Sequence, residues 1–336
     1  MTVGDVTGGA TVARHLAQGT PGPEGPRRRR GGVAPLVAAL VLLAIGACLL
    51  LAPSVSAVIE QGRVEQVVEE SRTSATVSDE EDPSAAAEDD GDAFRPKEGD
   101  PTYESLVEYS ERVREGTGDE VNDPFAFSGD ELAAMGLPDG IVGSIDIPAM
   151  GVTLPIYLGA TEANMELGAA VVAGTSMPVG GEPSNCVIAA HRGVWHGVQM
   201  FRDIELLEVG DTITITTAWD ELTYRVCEIR VIEPDDVDAL AVQEGRDLVT
   251  LFTCHPYAVS SHRYLVYCER VENDEAQEGP GAVERVVAAF IPAESTGSPA
   301  LEVERWLRIG GLALLVVVLV LLVATIVRRV RGRAGR

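Results

Sequence analysis

Basic residues are scarce in this 336-residue chain, and the scarcity limits what it can bind. There are 26 basic residues against 52 acidic ones, and Lys97 is the only lysine, which we attribute to a codon bias toward arginine. Nucleic acid is a poor partner for such a chain, because its phosphates require basic groups to neutralise them. Clusters with metal-ligand spacing are also missing from the sequence, so we expect neither a metal centre nor a cofactor.

Two apolar segments without charged residues occupy residues 33–53 and 309–327. Each is about as long as the ~20 residues that cross a membrane as a helix. Arginines precede the first segment and follow the second, so the positive-inside rule predicts that both termini are cytoplasmic. A cleaved signal peptide is the alternative for residues 33–53, but their 21-residue apolar length favours an anchor.

Charge is unevenly divided by this topology. The predicted cytoplasmic tails, residues 1–32 and 328–336, hold 10 of the 26 basic residues and 2 of the 52 acidic ones. The predicted outer part, residues 54–308, therefore holds 16 basic and 50 acidic residues, a formal charge of −34. Such a surface favours solubility and would attract a cationic partner.

The composition of the chain changes several times between the two apolar segments. Helical spacing of apolar residues, followed by an acidic stretch rich in Ser, Ala and Pro, predicts a helix and then a disordered spacer. The complete predicted order is a basic tail (1–32), a transmembrane helix (33–53), the helical and acidic spacer (54–120), a globular domain (121–272), a linker with an amphipathic helix (273–308), a second transmembrane helix (309–327) and a basic tail (328–336).

The globular domain is predicted to be all-β. Short runs of β-forming residues, bounded by Gly, Pro or Asn, indicate a sandwich or a closed barrel. Residues 200–207, by contrast, carry a helical apolar face. The predicted strands are 140–148, 152–158, 169–175, 186–191, 211–217, 222–232, 248–254 and 263–270.

Cysteine is the next scarce residue, with five in the chain. Cys48 lies in the first apolar segment, and Cys186, Cys227 and Cys268 lie within predicted strands, where a free cysteine is usually a small core residue. The four outer cysteines could form two disulfides, or one could be a working thiol with at most one disulfide, such as Cys227–Cys268. Cys254 differs from the others because it ends its strand, LVTLFTC, and HPY turns the chain away directly afterwards.

A nucleophilic cysteine needs a base or cation beside it and a donor for the developing oxyanion. His191 ends another predicted strand, and Arg263 opens the strand that follows the turn after Cys254. An antiparallel return would bring the guanidinium of Arg263 close to the thiol. His255 is also near, but adjacent residues of a strand point to opposite faces, so we do not expect it to be the base.

These residues and their surroundings resemble the sortases, cysteine transpeptidases of Gram-positive bacterial surfaces. The segment TLFTC, with Arg263 nine residues later, and the upstream AHRG look like the catalytic segments of that family. GSIDIPAMGVTLPIY, GTSMPVG, EPDDVDAL and SHRYLV are similar to the pilin-polymerising class C group. The resemblance covers residues 121–272. Ala190 departs from the glycine that many members have before the histidine, and His255 from a common threonine.

The resemblance implies a fold and a mechanism. The fold would be an eight-stranded sortase-type β-barrel with short helices and an N-terminal lid segment, flanked by the two transmembrane helices. Cys254 would attack the Thr–Gly bond of an LPXTG-like sorting signal on a pilin or surface protein. An amine, from a pilin lysine or a cell-wall precursor, would then release the thioacyl intermediate. His191 would be the acid/base partner, and Arg263 would steady the substrate carbonyl.

The resemblance also implies a lid at residues 122–127, NDPFAF. Asp123 would pair with an active-site cation, with Arg263 the foremost candidate, Phe125 would cover Cys254, and Pro124 would lie between them in the lid. An ordinary loop with Asx-Pro turn chemistry is the simpler alternative.

Three other functions remain open at this point. A housekeeping sortase would keep the fold and join proteins to peptidoglycan. A membrane-tethered β-barrel that only binds surface proteins would leave the thiol inert. A papain-like hydrolase would normally place its nucleophile at the start of a helix, whereas Cys254 ends a predicted strand.

Overall fold

The computed structural model describes residues 34–77, 94–116, 126–137, 139–281, 283, 284, 287, 290 and 298–334. Its α-helices are α1 (Ala34–Val77), α2 (Pro101–Glu115), α3 (Gly129–Ala134), α4 (Glu162–Leu167) and α5 (Pro299–Ala334). Its strands are β1 (Ile141–Ile147), β2 (Val152–Leu158), β3 (Ala169–Val171), β4 (Ser184–Ala189), β5 (Val194–Trp195), β6 (Val198–Gln199), β7 (Thr212–Thr217), β8 (Glu221–Ile232), β9 (Asp247–His255) and β10 (His262–Arg270). Everything below concerns the compact unit Leu43–Arg336, and the described part of the other unit is the start of α1.

Eight strands close into a barrel in the order β1-β2-β3-β4-β9-β10-β8-β7. Strands β7 and β1 pair to complete the ring. The neighbours β2–β3 and β4–β9 are parallel, and the other neighbours are antiparallel. The all-β fold predicted from the sequence, a closed barrel with short helices, is therefore confirmed.

Alternation along the strands divides the apolar residues between two clusters. On β9, Val249 and Leu251 belong to the main core of the barrel. Phe252 instead packs against a smaller cluster that contains Val187 and Ala189 of β4. Because successive side chains of a strand point to opposite faces, the smaller cluster marks the outer face of β4 and β9. This is the face to which Cys254 belongs.

Helix α2 is fastened to the barrel by two hydrogen bonds and one buried residue. Asp100 caps its N-terminus by accepting from the backbone N–H groups of Thr102 and Tyr103, and Leu106 is fully buried. The hydroxyl of Tyr109 accepts from the Gly174 N–H at 2.8 Å, and Ser110 Oγ accepts from the N–H of Met177 at 2.9 Å. Helix α2 therefore packs on the GTSMPVG segment.

Two local predictions are wrong. Residues 200–207 contain only a 3₁₀ helix, Ile204–Leu206, because the N–H groups of Met200 and Phe201 donate to carbonyls in residues 191–193 and hold the start of the segment open. The predicted strand 169–175 ends at Val171. There the chain turns, with the Thr175 hydroxyl donating to the Val172 carbonyl at 2.8 Å.

All five cysteines are free. Cys186 and Cys268 lie in the main core, and Cys227 donates its thiol hydrogen to the Tyr267 carbonyl at 3.2 Å. No disulfide links the cysteines, all of which lie within the part of the chain that the structure describes. The barrel is therefore held together by its core and not by covalent staples.

One helix, over Pro299–Arg328, is long and apolar enough to cross a membrane. The apolar part of α1 is shorter, from Ala38 to Leu49 among the described residues. The second predicted span at 33–53 and the orientation of the termini stay predictions. Of the amphipathic helix predicted in the linker, which we expect over residues 283–290, half lies outside the described residues.

Candidate active site

Cys254 is the second-last residue of β9 and lies directly opposite Arg263 of β10 in the antiparallel ladder. Opposed residues of antiparallel strands project to the same face, with Cβ atoms ~4.5–5.5 Å apart. The thiol and the guanidinium therefore share the outer face at one end of the barrel. The closeness predicted from an antiparallel return follows directly from this register.

His191 reaches the same end of the barrel from the other side of β9. Strands β4 and β9 are parallel, and Ala189 pairs with Phe252. The pairing continues for one residue beyond β4, since the Ala190 N–H donates to the Phe252 carbonyl at 3.2 Å. His191 therefore follows at the level of Cys254, one inter-strand spacing of ~4.7–4.9 Å away.

The imidazole of His191 is held by stacking. Its ring lies 4.4 Å from the Trp195 ring, measured between centroids, at an interplanar angle of 21°. Its Nε2 atom is buried and has no hydrogen-bond partner among the described residues. Trp195 belongs to the short hairpin β5–β6, which was not among the predicted strands. The aromatic residue four positions after His191 was the signal that could have found it.

The Arg263 guanidinium lies along the loop between β9 and β10. Its Nη1 donates to the carbonyls of Ser260 at 3.2 Å and His262 at 3.0 Å. Ala258 and Ser260 in this loop have positive φ angles of 67° and 60°, a region that is uncommon for residues other than glycine. The loop thus folds back under the cation and keeps it at the rim of the Cys254 site.

A buried ionic cluster lies behind β9, on the side away from the thiol. The side chains of Arg192 and Glu205 are 2% and 5% exposed, and they form an ion pair with an N–O distance of 2.8 Å. The Nδ1 atom of His255 lies 3.1 Å from Arg192 Nη1 and 3.4 Å from Glu205 Oε1. Tyr264 covers the cluster, with its ring 5.3 Å from that of His255. We call these four residues the rear cluster.

The rear cluster is bonded to the backbone of the candidate nucleophile. Arg192 Nη1 donates to the Cys254 carbonyl at 3.5 Å, a long bond, while its Nε donates to the Arg202 carbonyl at 3.2 Å. Beside it, the Thr253 hydroxyl donates to the Ala190 carbonyl at 2.7 Å and joins β9 to the segment that carries His191. The role of Glu205 was not predicted, although a charged residue in the apolar run MFRDIELL was a signal.

The pKa and the contacts of His255 associate it with the rear cluster and not with the thiol. Burial lowers the pKa of His255, and the positive charge of Arg192 lowers it further, against the opposing effect of Glu205. A neutral imidazole can accept a hydrogen bond from the guanidinium, so the ring is engaged behind β9. This agrees with the expectation that His255 faces away from the thiol.

The other three cysteines of the barrel, Cys186, Cys227 and Cys268, are poor nucleophiles. Burial raises the pKa of Cys186 and of Cys268, both of which lie in the core. Burial also raises the pKa of Cys227, against the opposing effect of Arg246. Because the thiolate is the reactive form, Cys254, which lies at a strand end, is the outstanding candidate.

Two further histidines of the barrel have acidic neighbours, and the predicted lid residues lie outside the described residues. His196 lies in the β5–β6 turn, 3.8 Å from Glu166, and His262 lies on the rim, 3.4 Å from Glu233. Asp123, Pro124 and Phe125 fall outside the described residues. Just after them, the Phe127 ring packs 5.4 Å from Tyr109 of α2.

Fold and site together define a class of protein, a β-barrel with a cysteine, a histidine and an arginine at adjacent strand ends. Such a set can form a thioester and pass the acyl group on, because a thiol, a proton carrier and a fixed cation face one space. Within the described part of the chain, no group of three or more His, Cys, Asp or Glu residues is arranged to hold a metal ion.

Comparison with known proteins identifies the family. The sortase domain model matches residues 145–271. Sortase A of Bacillus anthracis is 32% identical over 126 residues, which are 38% of this chain and 58% of that protein. The chain spans between 58% and 63% of the length of the curated relatives it matches.

Solved structures extend the comparison. Sortase C1 of Streptococcus agalactiae, solved as a complex with MTSET, is 34% identical to this chain. The alignment covers 51% of this chain and 88% of the sortase C1 chain, with a TM-score of 0.44. Clostridium perfringens sortase C, solved with the C-terminal cell wall sorting motif, is 28% identical to this chain. The alignment covers 62% of this chain and 98% of the Clostridium chain, with a TM-score of 0.48.

The chain belongs to the sortase family. The sortase domain over residues 145–271 supports this conclusion, and the predicted resemblance to class C sortases is confirmed.

Proposed function

We propose that this chain is a membrane-anchored cysteine transpeptidase that cleaves an LPXTG-like sorting signal after its threonine. The observation that carries the proposal is the strand register, which brings Cys254, His191 and Arg263 to one end of the barrel. The sortase family match supports the same chemistry. In a protein that only binds other surface proteins, nothing would require these three side chains to lie together.

In the proposed reaction, the Cys254 thiolate attacks the threonine carbonyl carbon, and the Arg263 guanidinium stabilises the developing oxyanion. His191 then donates a proton to the leaving glycine amine as the peptide bond breaks, which leaves a thioester on Cys254. In the second half, an acceptor amine attacks the thioester and gives a proton to His191. The new amide bond forms as the thiolate leaves, so the enzyme is restored without a nucleotide or cofactor.

For the acceptor, we propose the lysine amine of a pilin, which would make the protein a pilus-assembly enzyme. Support comes from the identity to sortase C enzymes, among them a Streptococcus pneumoniae sortase C whose crystal structure addresses pilin substrate specificity. A cell-wall precursor as acceptor, in a housekeeping sortase, is the second candidate, favoured by the match to sortase A relatives.

We also propose that residues 122–127 form a lid over the site and that the chain spans the membrane twice. Asp123, Pro124 and Phe125 would cover the site until substrate arrives, and the packing of Phe127 on Tyr109 would anchor the end of that segment to α2. Helix α5 would be one membrane span and residues 33–53 the other. Both termini would then be cytoplasmic, with the barrel outside the cell membrane.

Intact-mass measurement after incubation with LPXTG-type peptides tests the chemistry. An Asp123→Ala version of the chain opens the proposed lid, and we expect a covalent adduct with the mass of the peptide up to its threonine. The adduct should be absent in Cys254→Ala and retained in the matched Cys227→Ala variant. Folded protein that forms no adduct with any of several such peptides would favour the binding-module alternative.

A further inference from the structure

Arg202 connects the barrel to helix α5. Its side chain is 1% exposed, and its Nη2 donates to Glu304 Oε2 at 3.0 Å. Glu304 lies near the start of α5, before the apolar stretch of that helix, and its other oxygen accepts from Arg308 at 2.7 Å. Leu301, one turn earlier, is also buried. The start of α5 is therefore docked on the barrel by packing and by a buried charge.

Arg202 also contacts two residues near the candidate nucleophile: Tyr257 in the loop after Cys254, and Arg192, which is bonded to the Cys254 carbonyl. Its guanidinium lies 6.0 Å from the ring centroid of Tyr257, which is in the loop between Cys254 and Arg263. Its backbone carbonyl accepts from Arg192, the residue that bonds the Cys254 carbonyl. A continuous series of contacts thus leads from Glu304 to the backbone of Cys254.

Only one other carboxylate is bonded to Arg202 among the described residues. Asp203 lies 3.4 Å from Arg202 Nη1, at the limit for a hydrogen bond. Burial raises the pKa of Asp203, so its charged form is itself costly there. A buried guanidinium without a partner is strongly unfavourable. Loss of the Glu304 charge would therefore leave Arg202 poorly compensated.

We propose that Glu304 is a positioning residue for the active site. Docking of α5 through Glu304 and Arg202 holds the loop between Cys254 and Arg263 in the register that the reaction needs. The C-terminal helix would then support the catalytic loop as well as attach the protein to a membrane. The kinetic part of this inference rests on the proposed function, while the structural part does not.

The test compares Glu304→Gln with Glu302→Gln in the full chain, reconstituted in lipid nanodiscs. Glu302 is a matched control, because it lies on the same helix and pairs with Arg305 of α5. We expect Glu304→Gln to lower kcat for an LPXTG-type peptide on the order of tenfold with little change in KM, since small misplacements of reacting groups slow the chemical step. Glu302→Gln should match the unaltered chain, and Glu304→Asp should recover part of the rate.

Hydrogen-exchange mass spectrometry supplies a readout that needs no turnover. In Glu304→Gln, amide exchange across residues 254–263 should become faster, while exchange in β1 and β2 stays unchanged. Equal exchange in the Glu304 and Glu302 variants would overturn the inference, even if the chain is an active sortase. Faster exchange in a chain without peptide turnover would uphold the inference and reject the proposed function. Uniformly faster exchange throughout the barrel would show a general stability role and would also overturn it.

Discussion

The two faces of β9 near its end are built in opposite ways. On the outer face, Cys254 lies between His191 and Arg263, and His191 Nε2 is left without a partner among the described residues. On the rear face, His255 lies beside the buried ion pair of Arg192 and Glu205, within 3.4 Å of both side chains. Because both faces share one backbone, the ion pair on the rear side can hold the strand in place for the residues of the outer side.

The largest effect should come from breaking the rear face at Glu205. Glu205→Gln removes the charge that compensates the buried Arg192, and removal of one partner from a buried ion pair costs about 3–5 kcal/mol. The free energy of unfolding, measured with urea on the full chain in detergent, should fall by that amount. Glu228→Gln is the control, since its exposed pair with Arg230 should contribute only about 0–1 kcal/mol. Equal losses in both variants would mean that the rear cluster gives no special support.

Removing the cation from the outer face should affect the reaction more than stability. Arg263→Ala should lower kcat/KM about 10²–10³-fold, the usual cost of losing a donor to a developing oxyanion. Arg263→Lys should recover only part of this, because an ammonium lacks the planar fork of a guanidinium. Steady-state kinetics with a sorting-signal peptide measure both, and Arg230→Lys on the neighbouring strand β8 is the control. Unchanged kinetics in Arg263→Ala would remove it from the proposed site.

Trp195 tests how the unpartnered imidazole is held. Trp195→Leu keeps an apolar side chain but removes the aromatic stack on His191, and such pairs contribute about 0.5–1.5 kcal/mol. We expect kcat to fall about threefold to tenfold, and Trp195→Phe to lie between Trp195→Leu and the unaltered chain. A Phe variant no better than Leu would argue that volume alone matters at this position.

The smallest expected effect is a pH dependence of stability from the rear face. The pKa of His255 is lowered from its ordinary value of 6.5, so the unfolded chain binds a proton there more readily than the folded one. Stability from this group is present above pH 6.5 and falls as the pH drops below it toward the folded pKa. Thermal unfolding between pH 7 and pH 5 should therefore be less pH-dependent in His255→Gln. An unchanged dependence would assign the effect to other groups.

The barrel strands were readable from sequence because their signals are local. Runs such as LVTLFTC and the turn residues around them depend on neighbours within a few positions. The run MFRDIELL gave a false helix, since the hydrogen bonds that hold it come from residues 191–193 across a hairpin. Short segments follow tertiary contacts more than their own periodicity.

By itself, the sequence determined that Cys254 and His191 lie within two residues of strand ends and that Arg263 lies within one residue of a strand start, because strand ends follow from local turn chemistry. It also indicated the family, through segments that stand at family-like spacing. Only the tertiary structure decided that β4 runs parallel to β9, which brings His191 to the level of Cys254. It alone paired Arg192 with Glu205, and Arg202 with Glu304 across about a hundred residues. Contacts between segments so far apart depend on the closure of the barrel and the docking of α5, which no local pattern encodes.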